Sequence, residues 1–142
     1  MSKMSGLREA MDRLDEAWGA SGDALELSRA QLVDVADAIG LLQRRLGALH
    51  VDVAAGIARE SRAELGADSL AKQRGYRTAA KLIAAVTGIS TGEAQRLVKV
   101  GEATSPRSDL LGAPLPARYP LLREALGSGA LGAPAAALLV AL

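Results

Sequence analysis

The chain is predicted to be all-α, because its composition and the spacing of its apolar residues both favour helix over sheet. Apolar residues make up 49% of the 142 positions and are mostly Ala and Leu, whereas aromatic residues contribute only 2%. Ala and Leu favour helix, and a shortage of aromatic and β-branched side chains disfavours strands. All five prolines lie at or after Pro106. We therefore expect one elongated helical domain whose N-terminal two thirds are uninterrupted by proline.

The first two helices, in residues 1–68, are predicted from apolar stripes. Met4, Leu7, Met11, Leu14 and Trp18 follow one face of a helix from about Gly6 to Ala20. A second helix begins near Ser28, which has Gln31 in the capping-box position, and continues to about Leu65. Its stripe repeats strictly every seven residues and consists of Leu32, Val35, Ile39, Leu42, Leu46, Leu49 and Val53. Such a seam suits antiparallel packing against the first helix or a homodimer of two copies, and the spacing leaves both open.

Residues 69–104 are predicted to form a basic helical hairpin of the helix–turn–helix type. Two short helices within residues 78–101 meet at Gly88, since only glycine takes the left-handed C-cap conformation without strain. Ser90 caps the second helix, and Glu93 stands in the capping-box position. Counted from Ala80, the apolar, small and turn positions of a DNA-binding helix–turn–helix are occupied by Ile83, Ala84, Gly88, Ile89 and Leu97.

Residues 105–142 are expected to hold a loop rich in Pro and Gly followed by two short helices. Pro120 suits the first turn of a helix that reaches about Leu126, and Pro134 begins a final helix. The final helix has no polar side chain from residue 133 onwards, which predicts that it is buried on every side. For the same reason we expect the chain to be interrupted within this element and to continue in a longer protein.

Charge is segregated along the chain, although the net charge is only +1. Residues 1–68 carry eight basic and twelve acidic side chains, whereas residues 69–101 carry six basic side chains against Glu93 alone. A cationic middle third indicates an anionic partner, and the alternative is a solvated surface that pairs with the acidic N-terminal helices. DNA is the predicted partner, with Gln and Arg suited to base edges and Lys to phosphates. The candidate nucleic-acid-binding residues are Lys72, Arg74, Arg77, Lys81, Gln95, Arg96 and Lys99.

No catalytic, metal or cofactor site is predicted. The chain has no Cys, and the helical neighbours of its single histidine, His50, are apolar, so neither a thiolate site nor a histidine pair is expected. Residues 127–132 match the letters of a Gly-x-Gly-x-x-Gly nucleotide motif, but that motif requires a preceding strand and the preceding residues look helical. Because the N-terminus lacks the apolar core of a signal peptide and no stretch suits a membrane span, we expect a cytoplasmic protein without a membrane partner.

The same residues resemble a known family. The stretch GYRTAAKLIAAVTGISTGEAQRLVKVGEA, a Pro-rich loop and LLREALGSGALGAPAAALL together resemble the domain of unknown function 222 (13E12 repeat) family. The resemblance covers most of residues 28–142, and its motif positions are Tyr76, Gly88-Ile89-Ser90, Glu93-Ala94 and Ala125-Leu126-Gly129-Leu131. At Gly132-Ala133-Pro134 the chain departs from the family, in which a capping Ser and a nearby His are usual. The resemblance implies the helical N-terminal module of a bacterial HNH endonuclease whose nuclease part is absent here.

Two functions follow from these observations. The first is a non-catalytic helical module that associates with DNA through the hairpin. The alternative is a dimerisation or assembly module that uses the heptad seam and has no role with nucleic acid. The resemblance transfers no catalytic residue, so an enzyme is not predicted for this chain.

Overall fold

Several helices begin at a capping Ser or Thr and end at a glycine, as the sequence predicts. A computed structural model describes residues 2–19, 26–108, 110–115 and 118–142. The helices in these ranges are α1 Lys3–Trp18, α2 Arg29–Arg59, α3 Leu70–Gln73, α4 Ala79–Thr87, α5 Thr91–Thr104, α6 Pro120–Ser128 and α7 Ala133–Ala141. A 3₁₀ segment, Ala63–Asp68, precedes α3, and two strands of two residues each, β1 Arg107–Ser108 and β2 Pro114–Leu115, pair antiparallel in the loop before α6. The all-α class is therefore confirmed, including the long second helix.

The chain divides into two compact units, Met1–Ala38 and Ile39–Leu142. In the first unit, α1 starts at Lys3, earlier than predicted, because the Ser2 side chain accepts a hydrogen bond from the Ser5 N–H at 3.1 Å. No residue of α1 is buried. The predicted capping box at the start of α2 is complete, since Ser28 N–H donates to Gln31 Oε1 at 2.8 Å and Gln31 N–H donates to Ser28 Oγ at 3.2 Å.

The long helix ends at Arg59 and not near Leu65 as expected. Directly after Arg59, one backbone carbonyl and one side-chain hydroxyl bond to the start of α3. The carbonyl of Glu60 accepts from the Leu70 N–H at 2.9 Å, and Ser61 Oγ accepts from the Ala71 N–H at 3.1 Å. These bonds between residues distant in the chain replace the helical ladder, which explains why spacing alone overestimated the length of α2.

In the second unit, α2 packs through a stripe of small residues and not through its heptad seam. Its buried residues are Val51, Ala54 and Ala55. The seam residues Ile39, Leu42, Leu46, Leu49 and Val53 are all exposed, and so is Leu32 in the first unit. Small side chains let another helix approach closely, and here that helix is α5. The homodimer through the seam stays a prediction.

Two apolar clusters form the core of the second unit, and α5 contributes to both. The first cluster joins Val51 of α2, Val100 of α5, Leu126 of α6 and Ala136 of α7. The second joins Ala54 of α2 and Ala94 of α5 to Ala80 and Ile83 of α4. Helix α5 is therefore held by α2, α4, α6 and α7.

The described residues of the second unit do not bury α7 on every side, so its burial stays a prediction. Only Ala136 is buried, whereas Leu138 and Leu139 are 73% and 52% exposed. The helix packs against α5 and α6 with one side, and no described residue covers the other. Apolar composition around a whole helix therefore does not show how much of it the described residues cover.

Candidate nucleic-acid interface

The turn between α4 and α5 forms as the sequence predicts. Gly88 ends α4 in the left-handed conformation with φ +81°, and its N–H donates to the Ala84 carbonyl at 2.9 Å. Ser90 Oγ accepts from the Glu93 N–H at 3.1 Å and so caps α5. Within the described residues the reciprocal bond from Ser90 N–H to the Glu93 carboxylate is not made, so only half of the capping box is present. A short, firmly capped turn results.

The apolar positions of the helix–turn–helix pattern point inwards. Ala80 and Ile83 of α4 are buried against Ala54 and Ala94. Three more pattern residues pack against this cluster and are partly buried, namely Ala84, Ile89 and Leu97. Because one face of each helix is used for packing, the opposite face of α5 is presented to solvent.

That exposed face of α5 forms one wall of an open groove of about 550 Å³. The α5 residues that line it are Gly92, Gln95, Arg96, Val98, Lys99 and Glu102. The opposite wall is the start of α4, residues 78–80, with Ala58 of α2 between them. Thr78 is the N-cap of α4, and its Oγ1 accepts from the Lys81 N–H at 3.2 Å. The groove therefore joins two cations to the positive end of a helix dipole.

The structure gathers three of the seven candidate residues and leaves the others apart. Gln95, Arg96 and Lys99 line the groove. Lys72 lies on α3 and Arg74 directly after it, Arg77 precedes the Thr78 cap and Lys81 lies on α4. These four are exposed and do not line the groove.

Among the described residues, none of the candidate cations forms an ion pair with a carboxylate. The ion pairs in this part of the chain are Arg13–Glu9, Arg59–Glu60 and Arg123–Asp52, and none involves a candidate residue. The groove cations Arg96 and Lys99 thus make no ion pair with a described carboxylate, although Glu102 lines the same groove.

A second pocket, of about 300 Å³, lies on the other side of Arg96. His50 of α2 and Glu93 of α5 line it with Arg96, over an apolar floor that includes Leu97 and Pro134. Helical spacing around His50 predicted only apolar neighbours, because spacing describes contacts within one helix. It cannot show that Glu93 and Arg96 of α5 line the same pocket. Sequence reasoning likewise missed Thr78 and Gly92 as groove residues, although the Thr78 cap was readable from its position before an apolar run.

Comparison of the whole chain with protein-family models, with curated proteins and with solved structures gave no match. The resemblance to domain of unknown function 222 therefore depends on the sequence motifs alone and stays a prediction. Among the helices of the described residues, none combines the length and apolar character needed to cross a membrane.

Proposed function

We propose that this chain is a non-catalytic helical module that holds DNA, and that the exposed face of α5 contacts the duplex. The groove carries the proposal, because it places Gln95, Arg96 and Lys99 on one helix face beside the start of α4. The residues of one face of a helix can enter the major groove together, as recognition helices do. In line with the family resemblance, we propose that the parent protein is of the HNH-endonuclease type.

Gln95, Arg96 and Lys99 each carry a group that can bind a particular part of DNA. Lys99 is a compact charge suited to a phosphate, whereas the Arg96 guanidinium can bond two acceptors at once, on a phosphate or on guanine. The Gln95 amide can both donate and accept, which suits adenine. Two cations are few for a DNA-binding surface, so we expect weak affinity, with a dissociation constant of about 10⁻⁴–10⁻⁶ M for non-specific duplex at physiological salt.

Fluorescence anisotropy with a labelled duplex, over a range of salt concentrations, tests this function. Replacing Arg96→Ala together with Lys99→Ala is expected to weaken binding about 10–100-fold at low salt and to make the salt slope shallower by about 1.8, or 0.9 for each lost phosphate contact. The matched control is Lys3→Ala with Arg8→Ala, which removes the same charges from α1, where neither residue lines the groove. Equal salt slopes for the two double variants would show that α5 does not contact phosphates.

The open heptad seam of α2 supports the second function, an assembly module formed by two copies of the chain. Leu46 and Leu49 are 49% and 55% exposed, and large apolar side chains at heptad spacing gain free energy when a second helix covers them. Light scattering should give the mass of a dimer for the unchanged chain and of a monomer for Leu46→Glu. Leu121→Glu on α6, at an even more exposed leucine, should remain dimeric. A monomeric mass for the unchanged chain at every concentration would exclude this function.

A further inference from the structure

Several glycines of the second unit are required by its fold, whereas helical glycines such as Gly92 and Gly127 are not. Gly88 and Gly129 have φ values of +81° and +79°, which favour glycine. Gly101 has no room for a side chain, because a Cβ there would lie 2.8 Å from the Ala55 Cβ. At Gly92 the backbone is helical, and the nearest atoms to a Cβ are Ser90 Oγ at 3.9 Å and Arg96 Nη1 at 4.0 Å. Alanine would fit there, and it would favour the helix over glycine.

Gly92 differs from Gly127 in its position, because Gly92 lies in the groove and Gly127 does not. Gly92 lines the groove on the same face of α5 as Gln95, Arg96 and Lys99. An acceptor oxygen bound to the Arg96 guanidinium needs a place at about 2.7–2.9 Å from a nitrogen. A methyl carbon 4.0 Å from Arg96 Nη1 would narrow the space beside that nitrogen in which such an oxygen can be bound.

The lining of the groove indicates which part of a nucleic acid would enter it. None of the described residues that line the groove is aromatic, so no ring offers a platform on which an unpaired base could stack. The groove instead offers a guanidinium, an ammonium group and the start of α4, together with one carboxylate, that of Glu102. The guanidinium, the ammonium group and the start of the helix are suited to the oxygens of a phosphodiester backbone.

We infer that Gly92 is a positioning residue whose lack of a side chain admits a phosphodiester backbone against the first turn of α5, next to Arg96. The inference rests on the proposed DNA-binding function and adds to it where the backbone passes. It also predicts that adding one methyl group at Gly92 raises the stability of the fold and lowers its affinity for DNA.

The test compares Gly92→Ala with Gly127→Ala by thermal unfolding and by anisotropy with the same labelled duplex. Gly127 is a matched control, because it is a helical glycine of α6 with nothing within 4 Å of an added Cβ, and it lies outside the groove. Both variants are expected to raise Tm by about 1–4 °C. Only Gly92→Ala is expected to lower the affinity for duplex, by about 3–10-fold.

The outcomes separate this inference from the function on which it rests. If Gly92→Ala binds as tightly as the unchanged chain while the Arg96→Ala, Lys99→Ala variant binds weakly, the backbone passes elsewhere and the inference fails alone. A lower Tm for Gly92→Ala would show that the fold requires glycine there, and this too overturns the inference. If neither variant changes binding, the proposed function itself fails.

Discussion

Replacing Gly101→Ala is expected to lower the free energy of unfolding by about 2–3 kcal/mol, the cost of overpacking a tight helix contact. Gly101 is buried on α5, where it faces α2. A Cβ at this position would lie 2.8 Å from the Ala55 Cβ and 2.9 Å from the Val51 carbonyl oxygen. The second neighbour is backbone, which cannot rotate away, so α2 and α5 would have to separate and loosen both apolar clusters between them.

Chemical denaturation of the Gly101→Ala variant measures this loss. Gly127→Ala again serves as the comparison, because the same substitution in open space should stabilise the chain by about 0.4–1 kcal/mol. The two variants should therefore differ in sign. A Gly101→Ala variant at least as stable as the unchanged chain would mean that α2 and α5 do not approach each other at this point.

Replacing Ile83→Ala is expected to cost about 3–4 kcal/mol of stability. Ile83 is 1% exposed, and the buried residues of its cluster are Ala54, Ala80 and Ala94, with larger, partly buried side chains such as Ile89 and Leu97 packed against them. Because the alanines are too short to fill the cavity and the larger side chains can relax only partly into it, the cost should lie in the middle of the range for removing a buried aliphatic chain. Since Ile83 lies in the cluster that holds α4 against α5, the hairpin should be the part that loosens.

Val86→Ala on the same helix is the matched control for Ile83→Ala. Val86 is 68% exposed, so its truncation should change stability by less than about 0.5 kcal/mol. Urea titrations of both variants check the difference between them. Similar losses at the two positions would show that α4 packs through a different face.

Helix α5 both packs in the core and presents a face to solvent. Its C-terminal half is buried at Val100, Gly101, Ala103 and Thr104, whereas the face that carries Gln95, Arg96 and Lys99 is exposed. A helix held on several sides loses little further freedom when it binds, which favours its use as a contact surface. The proposed interface therefore depends on the same core that Gly101 and Ile83 maintain.

The features predicted correctly depend on residues close together in the chain. The left-handed turn at Gly88, the cap at Ser90 and the complete box at Ser28 and Gln31 each involve atoms within about one helical turn. Their hydrogen bonds are settled by residue type and spacing, so they can be read from neighbouring letters. The all-α class follows from the same local preferences summed over many positions.

Spacing along the chain does not suffice where distant segments compete for the same atoms or the same face. The end of α2 at Arg59 reflects bonds from Glu60 and Ser61 to residues of α3. The face of α2 that packs in the second unit holds Ala54 and Ala55, although the heptad seam is more apolar. Periodicity favours the larger side chains, whereas close packing of two helices can favour the smaller ones.

The amino-acid sequence by itself determined the helical class, the turn at Gly88 and the surplus of positive charge in residues 69–101. Only the tertiary structure decided that Gln95, Arg96 and Lys99 share a groove with the start of α4, while Lys72 and Arg74 do not. The physical reason is the distance along the chain over which each interaction acts. Caps and helical preferences act within a turn, but the walls of a groove are set by how closely helices approach, and that distance depends on contacts such as Gly101 with Ala55.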